Sequence, residues 1–148
     1  MFEFLPDIDF FFKLIKFESR NDPLAKNPKS SARGLIQFLD STARELGFNS
    51  SLDLVSQYPT FQSQLSGPVL WYMQKFGKYR DKYDIAMAVF YPKYMGKSPD
   101  TLFPKNVRDA NPGINTPRDY VSKIEGKKTS QSLFPLSILI LGAKLLFK

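Results

Sequence analysis

The first apolar repeat of the chain has the spacing of a helix. Pro6 suits the first turn of a helix that runs to about Glu18. Apolar residues three and four positions apart mark its predicted buried face, which carries Ile8, Phe11, Phe12 and Ile15.

Turn-forming residues separate the next elements. The polar residues 21–33 include two prolines and predict a loop. Residues 34–38 are too few for their period to separate helix from strand. Asp40 or Ser41 is predicted to cap a helix that ends at Gly47. A capping-box spacing within that helix joins Thr42 and Glu45.

Three further helical regions follow. Residues 51–57 predict a short helix, and residues 60–76 predict a longer one that breaks or kinks at Gly67-Pro68. Asp84 is predicted to begin an apolar helix that Pro92 stops.

The end of the predicted domain is a short helix after an irregular stretch. Residues 93–115 are rich in Pro, Gly and Asn and predict irregular structure. Residues 116–119 then have the composition of a helix start, and that helix is predicted to reach Glu125. No strong hairpin signal is present, so we expect a single compact, mainly α domain over residues 1–125.

A polar linker (126–131) and an apolar segment (132–148) follow the predicted domain. A helix over residues 133–147 would be roughly 22 Å long, which is short for a bilayer core of about 30 Å unless Lys144 and Lys148 reach the headgroups. The charged linker favours a membrane anchor, and a helix of the domain core stays open as the alternative.

The composition excludes several catalytic mechanisms. The chain has no Cys and no His, so Ser-His-Asp and Cys-His sites are impossible and zinc has none of its usual nitrogen or sulfur ligands. We therefore expect no metal site, and acid/base groups drawn mainly from Asp, Glu, Lys or Tyr. Aromatic residues make up 15% of the chain, which suits both a packed core and a cleft for sugar rings.

The net charge of +7 is unevenly distributed. Residues 1–125 hold 17 basic and 14 acidic side chains, whereas residues 126–148 hold four lysines and no acid. An anionic cell wall or membrane suits this charge, and no nucleic-acid-binding motif accompanies it. Acidic residues near the N-terminus argue against a signal peptide.

Glu18 is unusually placed for a surface carboxylate. It ends the first predicted helix, where the helix dipole disfavours a negative charge, and it lies beside the apolar face. Both effects should raise its pKa, and a carboxyl group that stays protonated can donate a proton to a glycosidic oxygen. A solvent-facing Glu18 paired with Lys16 or Arg20 stays open as the alternative.

Five segments in order resemble the core of soluble lytic transglycosylases, with phage-borne forms the most similar. The segments are Phe17-Glu18-Ser19, Ser31-Ala32-Arg33-Gly34-Leu35-Ile36-Gln37-Phe38, Asp40-Ser41-Thr42-Ala43, Ala88-Val89-Phe90-Tyr91-Pro92 and Asn111-Pro112-Gly113. The resemblance as a whole covers about residues 11–121. The resemblance implies a domain of the α+β lysozyme-like superfamily that needs no cofactor. It would cleave the β-1,4 bond from N-acetylmuramic acid to N-acetylglucosamine in peptidoglycan.

The resemblance also implies roles for single residues. Glu18 matches the catalytic acid/base, which protonates the leaving oxygen and then deprotonates the muramoyl 6-hydroxyl to give a 1,6-anhydro product without a second carboxylate. Ser19, Gln37, Phe38 and Tyr91 are the expected substrate-binding residues.

Each of these residues also has a structural interpretation: a helix-end hydroxyl for Ser19, a loop amide for Gln37 and a core aromatic for Tyr91. Trp71, Tyr72 and Phe38 are candidates for sugar stacking, although we expect at least two of them in the core.

Two positions depart from the family pattern. The family usually has Gly where this chain has Arg20, and many members have Asn where it has Pro92. The second change is frequent in phage members and shifts the subtype more than the activity, but contacts of the missing Asn do not carry over.

The expected setting is a virus particle that opens a bacterial wall during entry, with the enzyme acting in the host periplasm. The expected partners are glycan strands, a lipid membrane through residues 132–148 and other virion proteins, with no nucleic acid. A hydrolase helped by Asp22 or Asp40, and a non-catalytic virion protein on the same scaffold, are the alternatives.

Overall fold

The computed structural model describes residues 1–126 and builds them almost entirely from helices and loops. The helices in chain order are α1 (Ile8–Ser19), α2 (Asp40–Glu45), α3 (Ser51–Gln57), α4 (Phe61–Gln64), α5 (Leu70–Gln74), α6 (Lys82–Phe90), α7 (Lys105–Ala110) and α8 (Pro117–Ile124). A π-helical segment, Leu65–Val69, joins α4 to α5, and a 3-10 turn, Pro92–Tyr94, follows α6.

The predicted mainly helical class is confirmed for this part of the chain. Its β pairing amounts to two isolated bridges, from Lys26 to Arg33 and from Arg33 to Phe38. No helix within residues 1–126 combines the length and the apolar content needed to cross a bilayer. The predicted linker beyond Gly126 and the predicted apolar segment 132–148 lie outside the described residues.

The burial of α1 differs in part from the prediction. The helix starts after Asp7, whose carboxylate accepts a hydrogen bond from the Phe10 N–H at 3.0 Å. Ile8 is 44% exposed and Phe12 is 38% exposed, so placing them on the buried face was wrong. Because each residue turns the helix by about 100°, Phe12 lies about 160° from Leu14 and outside the buried stripe, whereas Ile8 is exposed as the first residue of the helix. The residues that α1 buries are Phe10, Phe11, Leu14, Ile15, Glu18 and Ser19.

Helix α6 is the centre of the packing around the end of α1. Its residues from Asp84 to Phe90 are all buried, and the helix packs against both α1 and α8. The helix begins at Lys82 and not at Asp84 as predicted, and its cap is Asp81, which accepts from the Tyr83 and Asp84 N–H groups.

Asp84 instead links the residue Arg80 before α6 to Gly96 after it. Its buried carboxylate accepts hydrogen bonds from the Arg80 backbone and guanidinium and from the Gly96 N–H. Burial alone would raise the pKa of Asp84, but these donors outweigh burial and hold its pKa below the ordinary value.

The predicted break at Gly67-Pro68 is confirmed. Gly67 has the non-helical angles φ −113° and ψ −109°, and a Cβ at this position would lie 2.9 Å from the Tyr58 ring. The glycine therefore allows the helix to kink while the π-helical segment packs closely on Tyr58.

Two smaller predictions were wrong. Leu39 occupies the N-cap of α2 without a side-chain hydrogen bond, because Asp40 is already helical and its carboxylate accepts instead from the Ser51 N–H at 2.8 Å. The stretch predicted to be irregular contains α7, which starts after Pro104 and buries Val107.

Helix α1 ends in a left-handed turn that lacks glycine. Arg20 has φ 55° and Asn21 has φ 63°, and the Arg20 N–H still donates to the Lys16 carbonyl at 2.8 Å. A Cβ in this region of φ and ψ is sterically unfavourable. A glycine at the position of Arg20 would adopt this conformation without that strain.

We predict that Arg20→Gly raises the free energy of unfolding by about 0.5–1 kcal/mol, because it removes the Cβ strain at a positive φ. Urea denaturation at neutral pH measures the change. Lys16→Gly is the matched control: it places the same residue at a helical φ and should cost about 1 kcal/mol. A loss of stability in Arg20→Gly would show that the side chain makes a compensating interaction.

Candidate active site

Glu18 lies in the last turn of α1 and is only 1% exposed. The sequence-based alternative of a solvent-facing carboxylate is therefore wrong. Burial favours the neutral carboxylic acid over the carboxylate, which is the state that a proton donor to a glycosidic oxygen requires.

The hydroxyl of Tyr120, on α8, donates a hydrogen bond to Glu18 Oε1 at 2.8 Å. Tyr120 is completely buried. Its burial, the charge of Glu18 and this hydrogen bond together raise the pKa of Tyr120 well above its ordinary value. The hydroxyl therefore stays protonated and acts as a donor across the whole physiological pH range.

Aromatic packing holds the Tyr120 ring in position. The Phe90 ring of α6 lies 4.6 Å from it, and the Phe17 ring of α1 approaches its edge at 5.9 Å. Since Phe17 precedes Glu18 in α1, both ends of the hydrogen bond are positioned by the same contact between α1 and α8.

Sequence reasoning missed Tyr120. The signal that located its helix was present: Thr116 and Asp119 form the observed capping box, and Pro117 occupies the first turn. Nothing local pairs Tyr120 with Glu18, because the two residues are 102 positions apart.

Gln37 lies in the tight turn between Arg33 and Phe38. It is 1% exposed with a left-handed φ of 57°. Its side-chain amide donates to the carbonyl of Gly34 at 2.9 Å and to that of Ala25 at 3.3 Å. These contacts match the structural interpretation of a loop amide; the predicted substrate-binding role of Gln37 stays a prediction.

Gln64 of α4, which was not predicted as a site residue, holds the same loop through hydrogen bonds. Its fully buried amide accepts from the Leu35 N–H at 3.0 Å and donates to the carbonyls of Pro23 and Tyr58. A Cβ on Gly34 would lie 2.7 Å from the Gln64 oxygen. A glycine at this point is therefore needed for the side chain to reach the loop.

The other predicted site residues lie in well-packed surroundings. Ser19 donates to the Ile15 carbonyl at 2.9 Å, as a hydroxyl at a helix end does. The buried Phe38 ring meets Tyr72 edge-on at 6.1 Å. Tyr91, directly after Phe90, is 4% exposed and packs on Tyr94 at 4.9 Å; burial raises its pKa above the ordinary value.

Two of the three candidates for sugar stacking lie in the core, as predicted. Tyr72 and Phe38 belong to the core, and the Tyr72 hydroxyl donates to the Ala88 carbonyl at 2.6 Å. Trp71 is 41% exposed and meets Tyr58 edge-on at 5.5 Å. Of these three residues, Trp71 is therefore the one that presents an accessible ring.

Residues 6–69 match the family model of the transglycosylase SLT domain. The matched segment runs from the start of α1 to the π-helical segment and contains Glu18, Ser19, Gln37 and Phe38. Tyr91 and Tyr120 lie beyond it. No curated protein and no solved structure matches the chain. The resemblance first seen in short motifs thus has independent support over the part that carries Glu18.

We predict that Tyr120→Phe lowers the free energy of unfolding by about 1–3 kcal/mol, because the substitution removes only the buried hydroxyl that Glu18 accepts from. Urea denaturation at neutral pH measures the loss. Tyr83→Phe is the control, since its hydroxyl accepts from Arg118 at an exposed site and its removal should change stability by less than about 0.5 kcal/mol.

The pH dependence adds a second readout for Tyr120. Because its folded pKa is raised, its contribution to stability is fully present below the unfolded pKa of about 10 and is lost as the pH rises beyond it. Tyr120→Phe should therefore lose less stability than the parent between about pH 9 and pH 11. Equal alkaline slopes would contradict the assigned environment.

Proposed function

We propose that this chain is a peptidoglycan lytic transglycosylase with Glu18 as its acid/base. The observation that carries the proposal is the buried carboxyl of Glu18, held by Tyr120, inside the segment that matches the SLT domain. A buried carboxyl oriented by a neutral donor suits general acid catalysis.

The hydrogen bond from Tyr120 orients the carboxyl of Glu18 through Oε1. We propose that the protonated carboxyl of Glu18 delivers its proton to the glycosidic oxygen as the bond to the muramoyl C1 breaks.

The second half of the reaction restores Glu18. The carboxylate takes the proton of the muramoyl 6-hydroxyl, and that oxygen bonds to C1 and closes the 1,6-anhydro ring. No water is consumed and no second carboxylate is required. The Tyr120 hydrogen bond also suits this step, since it stabilises the carboxylate formed in the first.

The contacts of the two other candidate acids favour this reaction over hydrolysis. Asp40 accepts from the Ser51 N–H, which links α2 to α3 and holds the pKa of Asp40 below its ordinary value. Asp22 is exposed and accepts from the Leu24 N–H at 2.8 Å. Each thus has a local structural role in a helix junction or a turn.

We predict that Glu18→Gln reduces clearing of peptidoglycan in a zymogram by about 10²–10⁴-fold, because the amide cannot donate or accept the proton. Glu45→Gln is the matched control: it makes the same substitution in an exposed ion pair with Lys75 and should clear like the parent. Equal clearing by Glu18→Gln and the parent would exclude Glu18 from the mechanism.

We also propose that the enzyme reaches the wall as part of a membrane-associated virus particle. The motifs shared with phage-borne forms support the particle, and the apolar, lysine-bearing residues 132–148 support the membrane. In this setting the protein would act in the host periplasm during entry, beside other virion proteins.

We predict that the full chain floats with lipid vesicles in a density gradient and that a chain truncated after Gly126 does not. The apolar segment would bury its side chains in the hydrocarbon, and the domain alone would not. Flotation of both chains would assign membrane binding to the domain. Flotation of neither would remove the anchor from the account.

A further inference from the structure

A groove of about 460 Å³ runs along the outer face of α1. Its volume falls within the range of ligand-binding pockets in proteins. The groove is lined by Asp9, Phe12, Lys13, Lys16, Asn21 and Phe61.

The lining combines apolar rings with hydrogen-bonding groups. Phe12 is 38% exposed, although an aromatic residue on a helix surface usually turns inward. Phe61 contributes a second, half-buried ring. Flat aromatic faces suit the apolar faces of sugars, and the Asp9 carboxylate and the Asn21 amide can bond their hydroxyls.

Charge in the groove favours an anionic occupant. Lys13, Lys16 and Asp9 take part in none of the ion pairs between described residues. Two cations against one carboxylate leave the groove positive. Peptidoglycan offers both matching features, because its sugar rings are apolar on their faces and its peptide stems carry carboxylates.

The groove is separate from the catalytic carboxyl. At about 100° per residue, Asp9 lies on the opposite side of α1 from Glu18, and Phe12 and Lys16 lie well away from it. A helix about 10 Å across therefore stands between the two sites. A glycan strand bound in the groove would therefore not occupy the position of the glycosidic bond that Glu18 would cleave.

We infer that this groove is a second binding site for peptidoglycan, in which sugar rings stack on Phe12 and Phe61 and stem carboxylates pair with Lys13 and Lys16. The inference rests on the proposed function for the identity of its ligand. Binding here would keep the enzyme on the wall between successive cleavages at Glu18.

Sedimentation with purified sacculi tests the inference in a Glu18→Gln background, where the ligand is not consumed and binding is read without turnover. Phe12→Ala should weaken binding by about fivefold. The double variant Lys13→Ala, Lys16→Ala should weaken it by about threefold or more at low salt and less at high salt. Alanine preserves the helix at these exposed positions, and the thermal unfolding midpoint verifies folding.

Lys78→Ala is the matched control. Lys78 lines another groove of about 450 Å³, where Arg80 and Asp84 are paired with each other. It should bind sacculi like the parent. Peptide-free glycan strands separate the contribution of the rings from that of the charges. Phe12→Ala should bind these strands more weakly than the parent, whereas the double lysine variant should bind them like the parent.

Undiminished sacculus binding by both groove variants would overturn the inference. So would a smaller fraction of the groove variants than of the parent floating with phosphatidylglycerol vesicles while sacculus binding is retained, since that result would assign the groove to a lipid surface. Because these assays measure binding alone, failure of catalysis by Glu18 would appear in assays of turnover such as the zymogram and not in the binding assays.

Discussion

The hydrogen bond from Tyr120 to Glu18 is the interaction on which the account of this protein depends. It joins α8 to the last turn of α1 at 2.8 Å, in a place where neither side chain is accessible to water. The aromatic contacts of Tyr120 with Phe90 and Phe17 fix the donor, and α6 packs against both helices. The orientation of the carboxyl is therefore a property of the assembled core and not of a loop.

Buried side-chain amides hold the loop that follows α1 through hydrogen bonds to its backbone. Gln37 and Gln64 place their amides against carbonyl and N–H groups of residues 23–35. Each of these hydrogen bonds satisfies a buried polar group that would cost free energy if it had no partner. The segment that matches the SLT domain thus carries Glu18 in the last turn of α1 and Gln37 in a turn that buried amides hold.

Much of this arrangement was predictable from local pattern, and the remainder required long-range packing. The helix after Thr116 and the break at Gly67 were visible in a cap residue and in prolines, which act within a few residues. The place of Glu18 at the end of an apolar helix allowed either a buried or a solvent-facing carboxyl, and the packing of α1 against α6 and α8 buries it. Tyr120 and Gln64 were missed because their partners are distant in sequence, and α7 was missed because proline and glycine surround it.

The products released from purified sacculi distinguish transglycosylation at Glu18 from hydrolysis. Transglycosylation by Glu18 should release muropeptides that end in 1,6-anhydro-muramoyl groups, which are one water lighter in the mass spectrum than reducing ends, and Glu18→Gln should release none of them. Muropeptides with reducing ends would contradict it, because they would show that water, and not the 6-hydroxyl deprotonated by Glu18, attacks C1.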